Sequence, residues 1–569
     1  MSSPSLLISR KLFEGGSPML FTPRGAADFT PLGSLPGWLS ALLRARGVNT
    51  EEEAERFLHP SLSGLHDPFL LSGMEKAVSL IRRTIDAREG IMIFGDYDAD
   101  GVCAVSILLE TLSEMGARVS FRLPDRRRDG YGLNESAVRE IAGKARLLIT
   151  VDCGISNSAE VSLARSLGLS VIVTDHHQLP ETLPEADVIL HPLLGNYPCP
   201  DLCGAGVALK IAQALQGISG AEKCLEIAAI ATVADVVPLR GENRVIVREG
   251  MKRMESTARP GLRALLEAAG TAAPLRADAL AFRLGPRLNA AGRLGDASLG
   301  VQLLLTGKPD KAFAAARQLE EMNRVRQDAE REITAAAFRQ VEETLTPDTR
   351  VLLAAGEGWN PGLIGLSAGR LCEKYTRPAI VLSIPEDGPA VGSCRSVPGV
   401  HIFEALQACS DLLVRFGGHA QAAGLSVMRE NIPALRERLN RLFLEQVDDS
   451  CFTPRREYDL ALPFRTWTPE TLAQLDLLEP TGCGNPAPVF LLSGAEIRSL
   501  RRVGRDGAHL QINAADADGT PVRAIAFSMG AEADKNPAEA DLLYTPVRNE
   551  FNGRVSIEAQ VSALRAGPP

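Results

Sequence analysis

The chain has 569 residues, 45% of them hydrophobic and 23% charged, which is ordinary globular usage and supplies material for several cores. No stretch reaches the roughly 18 consecutive apolar residues of a membrane span, and residues 1–21 lack the apolar run of a secretory leader, so a cytoplasmic protein with no membrane contact is expected. The net charge of −9 speaks against a uniformly nucleic-acid-binding surface, although a carboxylate-rich metal site also lowers that count and bound cations would neutralise it.

Residues 1–75 are mixed and proline-containing, with one helical pattern near 39–57, and read as an N-terminal extension packing on the adjoining domain. From residue 76 the pattern alternates. Helical periodicity over 75–87 precedes a short apolar run, 91–95, that ends in a Gly/Asp cluster, and 102–115 is helical again up to Gly116. Apolar runs recur at 147–151, ending in Asp-Cys-Gly, at 169–174, ending in Asp-His-His, and at 188–190, with helical patterns at 205–215 and 222–233. Such alternation implies a parallel sheet covered on both faces, and 76–305 reads as one α/β domain. Residues 310–345 contain no Gly or Pro, so 306–348 predicts a long connecting helix with a solvated charged face. A second alternation fills 349–450: strands at 351–355 and 379–383 flank a helix over 363–375, then come a glycine-rich stretch at 414–427 and a helix at 432–446. In 451–569, short strand-like runs at 489–492, 510–514, 522–527, 542–547 and 554–559 are separated by Gly, Asp and Asn turns, which suits a small β-barrel. The fold class is therefore α/β: two lobes with parallel-type sheets joined by a long helix, with a barrel at the C-terminal end.

The ten cysteines are scattered, and Cys199 and Cys203 are not matched by a second pair of similar spacing, so they read as reduced thiols and not as a zinc site. Two basic clusters, Arg122/Arg126/Arg127/Arg128 and Arg498/Arg501/Arg502/Arg505, could track phosphates or form solvated surface.

The chemistry-bearing residues lie just after the apolar runs of the first lobe. The first run delivers Asp96, Asp98 and Asp100, the second Asp152, the third Asp175, His176 and His177, and the helical segment 230–236 ends at Asp235. In an open parallel sheet the C-terminal strand ends converge on one crevice. Hard divalent ions prefer carboxylate oxygens, imidazole shifts the choice toward Mn²⁺, and two such ions sharing a carboxylate activate water against a phosphodiester. Singly, Asp100 could be a helix N-cap and His176 a core histidine. Together they point to a metal centre.

Gly95-Asp96-Tyr97-Asp98-Ala99-Asp100-Gly101, Val151-Asp152-Cys153-Gly154, Asp175-His176-His177 and Thr232-Val233-Ala234-Asp235-Val236-Val237-Pro238 resemble the four motifs of the DHH phosphoesterase superfamily, and their form and order are closest to the bacterial RecJ family. The resemblance implies two divalent cations, Mn²⁺ or Mg²⁺. Asp98 would bind one and Asp100 the other, Asp152 would bridge them, and His176 and Asp235 would complete the ligand set of the second ion. Asp96 would serve the first ion directly or through a ligand, His177 would orient the phosphate or a ligand, and Asp175 would fix a histidine tautomer. Many members carry a histidine two residues before the Gly-Asp, where this chain has Phe94.

The stretch Gly417-Gly418-His419 is similar to the Gly-Gly-His signature of the companion DHHA1 domain, and Arg395-Ser396 to its Arg-Ser element. The resemblance implies that Gly418, His419, Arg395 and Ser396 hold phosphate. Pro286-Arg287-Leu288-Asn289-Ala290-Ala291-Gly292-Arg293 matches a segment beside the RecJ cleft and makes Arg287, Asn289 and Arg293 candidates for gripping the strand. Asn360 stands where the family often has a histidine. The segment 482–490 resembles the entry of an OB-like domain, so the barrel would track a single strand, with Phe490, Phe527, Tyr544 and Phe551 available for stacking or for the core. What the family implies is a single-stranded-DNA-specific 5′→3′ exonuclease of repair and recombination, monomeric, with single-stranded DNA as substrate and a single-strand-binding protein and a helicase as partners. A phosphodiesterase for short oligonucleotides or cyclic dinucleotides is the alternative, and such proteins usually stop after the Gly-Gly-His lobe. A catalytically dead scaffold is disfavoured because every principal aspartate is present.

Overall fold

The computed structural model describes residues 19–124, 132–551 and 554–567; Arg126, Arg127 and Arg128 and the side chain of Phe551 lie outside the described part. A short strand, β1 (Leu20–Pro23), precedes helices Gly37–Arg44 and Glu51–Leu58. The second starts in a capping box, Thr50 Oγ1 accepting from Glu53 N while the Glu53 carboxylate accepts from Thr50 N.

Strands β2 (Gly90–Gly95), β3 (Arg118–Arg122), β4 (Leu147–Val151), β5 (Ser170–Thr174) and β6 (Val188–Leu190) form an all-parallel sheet in the order β3-β2-β4-β5-β6. Its central strands are apolar on both faces because both are covered by helices. Ile91, Ile93, Leu147 and Ile149 pack with the helices Ala99–Glu114, Gly204–Gln216 and Ile218–Ala234, whereas Met92, Phe94 and Leu148 pack with Glu135–Ala142 and Ser158–Ser166. Phe94 is thus fully buried core in the layer opposite the larger helix set and takes no part in the site. Cys199 and Cys203 are buried in the first core. The strand Arg118–Arg122 has no counterpart in the sequence reading, since only Val119 and Phe121 of it pack apolar surface.

The helix Pro309–Thr344 runs 36 residues between the lobes. It is less a solvated bridge than expected. Ala312, Ala316 and Leu319 belong to the first lobe's core and Ile333, Ala337 and Val341 to the second's. Between these apolar thirds the buried stripe turns polar, at Asn323 and Glu330.

The second lobe holds β7 (Leu352–Glu357), β8 (Ala379–Ile384), β9 (Ala390–Arg395), β10 (Leu413–Gly418) and β11 (Ala422–Val427), ordered β10-β11-β9-β8-β7. The β7–β8 pair is parallel and the remaining pairs are antiparallel.

Beyond it come β12 (Arg455–Tyr458), β13 (Leu460–Ala461), β14 (Phe490–Val503), β15 (His509–Ala515), β16 (Pro521–Ala526), β17 (Glu539–Phe551) and β18 (Arg554–Ala566). The circuit β14-β15-β16-β18-β17 closes because β17 pairs back onto β14, which removes both sheet edges. The barrel core includes Trp38, Leu39, Leu42 and Leu43 from the N-terminal helices, with Trp38 edge-on to Trp467 at 5.6 Å, and β1 pairs in parallel with β12. The N-terminal extension therefore completes the C-terminal lobe. Its later part, with Leu62, Leu65 and Leu71, packs on the first lobe's core, and Phe57 contacts that lobe through Arg244.

Candidate metal centre

Backbone N–H donors and backbone conformation, some from distant segments, aim the acidic residues. Asp98, not Asp100, is the N-cap of helix Ala99–Glu114, its Oδ1 accepting from Asp100 N at 2.9 Å and Gly101 N at 3.0 Å. Asp100 lies one step inside that helix, and its carboxylate accepts from Gly204 N (2.6 Å) and Ala205 N (2.8 Å), the first residues of helix Gly204–Gln216. Two helix N-termini thus direct partial positive charge at the crevice. Gly204 was not singled out from the sequence. A Cβ there would lie 2.6 Å from Asp152 Cβ and 3.0 Å from Asp100 Oδ2, so any side chain would push the two carboxylates aside; the glycine pair in Cys203-Gly204-Ala205-Gly206 at a helix start was the available signal.

Asp152 leaves β4 with φ +59°, a region that non-glycine residues occupy at a cost of about 1–3 kcal/mol when the surroundings enforce it. Asp175 comes directly after β5. Its Oδ1 accepts from His176 N (2.8 Å), His177 N (3.1 Å) and His177 Nδ1 (2.7 Å), and its Oδ2 from Ile155 N (2.9 Å). The bond between Nδ1 and Asp175 sets the orientation of the His177 ring, with Nδ1 4.0 Å from Asp152 Oδ1. Asp235 caps the C-terminus of helix Ile218–Ala234.

These elements meet. His176 Nε2 lies 3.1 Å from Asp152 Oδ1, 3.6 Å from Asp235 Oδ2 and 3.7 Å from Asp100 Oδ2. Both His176 Nε2 and Asp152 Oδ1 are buried, and among the described residues neither makes a hydrogen bond. Three sets of potential ligand atoms each fall within 4.8 Å of one another: Asp96/Asp98/Asp152, Asp100/His176/Asp235 and Asp152/His176/His177. Asp152 and His176 each belong to two sets. Buried polar atoms that face one another without hydrogen-bonding are what a hard cation resolves.

The electrostatics agree. Burial pushes the Asp152 carboxyl well above the usual range, and Asp100, Asp98, Asp96 and Asp235 add repulsion. Asp98 is raised by burial and by Asp100. Asp235 is pushed up to about 8 by burial, then by Asp100 and Asp98. Burial lowers His176 and so keeps its imidazole neutral, whereas the hydrogen bond with Asp175 raises His177. For Asp175 burial acts upward, but the bonds from His177 and Ile155 outweigh it and the carboxyl is lowered. Carboxylates held short of ionisation beside a neutral imidazole bind a cation with release of protons.

The other residues singled out from the sequence divide into two groups. Arg395, Ser396, Gly418 and His419 come together: Arg395 pairs across the sheet with Ala422, Ser396 N donates to Gln421 O (2.9 Å), and His419 is exposed in the β10–β11 turn. The helix Gly285–Leu294 lies along the centre's wall. Its Asn289 Oδ1 accepts from Ala99 N (2.8 Å), so this side chain supports the Asp98–Asp100 turn. Arg287 Nε donates to Glu320 Oε2 (2.5 Å), and Arg293 reaches across to Gly362 O of the second lobe (2.5 Å). Asn360 Oδ1 accepts from the same Gly362's N (2.8 Å). A cluster missed from the sequence sits mid-helix: Arg326 is flanked by Asn323 Oδ1 (3.1 Å) and Glu330 Oε2 (3.5 Å), and Glu330 Oε1 accepts from Arg370 Nε (2.9 Å). Burial, with Arg370 and Arg287 nearby, lowers the Arg326 guanidinium. The interruption of the apolar stripe between Leu319 and Ile333 was its signature.

On the barrel, Phe490 and Tyr544 are core, Tyr544 OH accepting from Trp467 Nε1 at 2.8 Å. Phe527 is 54% exposed and edge-on to His509 at 5.2 Å. Register places Arg501 opposite Gln511, and Gln511 opposite Ile525. Arg502 is engaged with Asp534, and Arg122 with Glu140.

Family models match three parts of the chain: the DHH family N-terminal domain over residues 90–233, the DHHA1 domain over 348–445 and the RecJ OB domain over 458–563. A single-stranded-DNA-specific exonuclease RecJ from Dickeya dadantii is 36% identical over 93% of this chain and 96% of its own length. The chain belongs to the RecJ family. The RecJ of Escherichia coli K12 is 35% identical over 92% of this chain and 95% of its own. The RecJ of Bacillus subtilis is 40% identical over 83% of this chain, which spans 61% of that longer protein. Among solved structures, RecJ of Thermus thermophilus in complex with Mn²⁺ superposes with a TM-score of 0.82 at 32% identity, covering 97% of this chain and 80% of that one. The same protein in complex with Mg²⁺ gives 0.76.

Proposed function

We propose that this chain is a single-stranded-DNA-specific exonuclease that hydrolyses from the 5′ end and releases 5′-mononucleotides with two divalent cations, Mn²⁺ or Mg²⁺. The observation that carries the reading is the convergence of Asp100, Asp152 and Asp235 on His176 Nε2, within 3.1–3.7 Å. Asp96, Asp98 and Asp152 would hold one cation and Asp100, His176 and Asp235 the other, with Asp152 common to both. Bound there, such ions polarise water and neutralise charge on the phosphoryl oxygens.

The protein's own groups do the rest. Asp175 locks the His177 ring, which would orient a phosphoryl oxygen or another ligand. The Gly204–Gln216 and Ala99–Glu114 helices hold Asp100 and Asp98 through backbone N–H groups, so the acidic atoms stay in place before any cation arrives. Arg395, Ser396, Gly418 and His419 on the second lobe would take the neighbouring phosphates, and Arg287 and Arg293 the strand beside the centre.

The labour divides accordingly: residues 76–305 for catalysis, 306–348 as connector, 349–450 as clamp and 451–569 for holding the strand, the extension 1–75 lending its helices to the last. A closed barrel with an exposed Phe527 and Arg501 favours a long strand over a dinucleotide. The reading places the enzyme in cytoplasmic DNA repair and recombination, as a monomer that works with a single-strand-binding protein and a helicase. The test uses 5′- and 3′-labelled single and double strands with Mn²⁺ or EDTA. Loss of 5′ label as mononucleotide, from single strands and only with metal, is the expected result; release from the 3′ end, or equal degradation of duplex, would refute it. Asp152→Ala should abolish turnover in the same assay.

A further inference from the structure

We infer that the turn 481–485 of the barrel lobe is a positioning element for the metal centre, setting Asp235 from behind. This rests on Asp235 being a metal ligand. Asp98, Asp100 and Asp175 are each fixed by backbone N–H donors. The Asp235 carboxylate accepts no hydrogen bond among the described residues, so its place depends on its backbone. That backbone leaves the helix through Val236 at φ +61°, a genuine outlier for a β-branched residue, which only the surroundings can hold. Val236 itself is 68% exposed and is not held by its own packing.

What holds it comes next in the chain. Leu239 N donates to Cys483 O (2.8 Å) and Arg240 Nε to Gly484 O (2.7 Å). Gly484 sits at φ +69°, and a Cβ there would lie 2.9 Å from Pro238 Cβ and 3.2 Å from its Cα. The turn is closed by reciprocal bonds between Gly482 and Asn485 (2.8 and 3.2 Å). It is then anchored deeply. The fully buried Asn485 side chain accepts from Arg46 Nε (2.8 Å) and donates to Leu478 O and Pro480 O (2.8 Å each). Arg244, also buried, donates to the carbonyls of Phe57, Leu477, Leu478, Glu479 and Pro480. The docked barrel lobe therefore presses a rigid turn against residues 238–240, and through the strained Val236 it fixes where Asp235 stands beside His176 and Asp100.

The experiment is a calorimetric Mn²⁺ titration of the full-length chain, paired with steady-state kinetics on long single-stranded DNA, for Gly484→Ala, Arg240→Ala and an Asp235→Asn control. Gly484→Ala should weaken one of two Mn²⁺ sites by about 10- to 100-fold, as changes behind a ligand do, lowering kcat and leaving KM unchanged. Arg240 is exposed, so Arg240→Ala tests the same link without threatening the fold and should act in the same direction, less strongly. Wild-type Mn²⁺ affinity in both variants, or a change confined to KM, overturns the positioning role and leaves a docking contact. An Asp235→Asn control that keeps both sites would instead overturn the metal-centre reading itself.

Discussion

The crowding of carboxylates makes a prediction that runs against intuition: without metal, Asp235→Asn should stabilise the protein. In the fold the Asp235 carboxyl is pushed from 3.8 up to about 8 by burial and by Asp100 and Asp98. The folded state therefore keeps a proton that the unfolded chain has released, and stability falls as pH rises from 3.8 through about 8. That interval of about four units sets a ceiling of roughly 6 kcal/mol at 1.36 kcal/mol per unit. With the side chain 24% exposed, solvent relief brings the expected effect to about 2–3 kcal/mol. For a lobe of this size that is roughly 5–10 °C in melting temperature. Asparagine has the same shape and no charge to lose. In EDTA the variant should match wild type near pH 4.5 and melt higher by pH 8.5. Saturating Mn²⁺ should invert the order, since only wild type gains the full binding free energy. A variant that is less stable than wild type in EDTA at pH 8.5, or a difference that ignores pH, would refute the reasoning.

Arg395→Ala should raise KM for single-stranded DNA about 10- to 100-fold, the worth of a charge-assisted phosphate contact, and leave calorimetric Mn²⁺ affinity unchanged; unchanged kinetics would remove the clamp. Phe527→Ala should weaken long single strands by about 1–3 kcal/mol in a fluorescence-anisotropy titration, at constant melting temperature because the ring is 54% exposed; equal affinity would place the strand elsewhere. Arg244→Ala strips donors from five carbonyls in a buried junction and should cost about 3–5 kcal/mol, read by urea unfolding and by faster proteolysis near residue 480; a change below about 1 kcal/mol would show that water replaces the guanidinium.

The candidate metal ligands were legible because each comes within one to five residues of the end of its own strand or helix. Apolar runs at 91–95, 147–151 and 169–174 fix the strands, and parallel topology sends their ends to one crevice. The long helix was legible from the absence of Gly and Pro. What the sequence hid was non-local. Nothing near Trp38 says that its partner is Trp467, more than four hundred positions away. The capping roles were exchanged for the same reason: proximity suggested Asp100 as the cap of its own helix, but Asp98 fills that place and Asp100 serves a helix a hundred residues on. Among the aromatics, Phe490 and Tyr544 went to the core and Phe527 to the surface, a choice set by strand register and not by composition.

The same long-range packing explains how a site so costly to assemble persists. Asp152 at φ +59° and Val236 at φ +61° are both held in strained backbone, and buried like charges add to the cost. Local sequence cannot offset this. The neutralising dipole for Asp100 comes from the Gly204 helix, the support for the Asp98 turn from Asn289, and the restraint beyond Asp235 from Gly484. Each supporting group lies in a different segment from the residue it serves, so the geometry of the cluster depends on packing between segments distant in the chain. With the turn 481–485 removed, Asp235 would lose the restraint behind it, so a chain shortened at the barrel should bind one of two Mn²⁺ ions more weakly and lose its grip on long DNA.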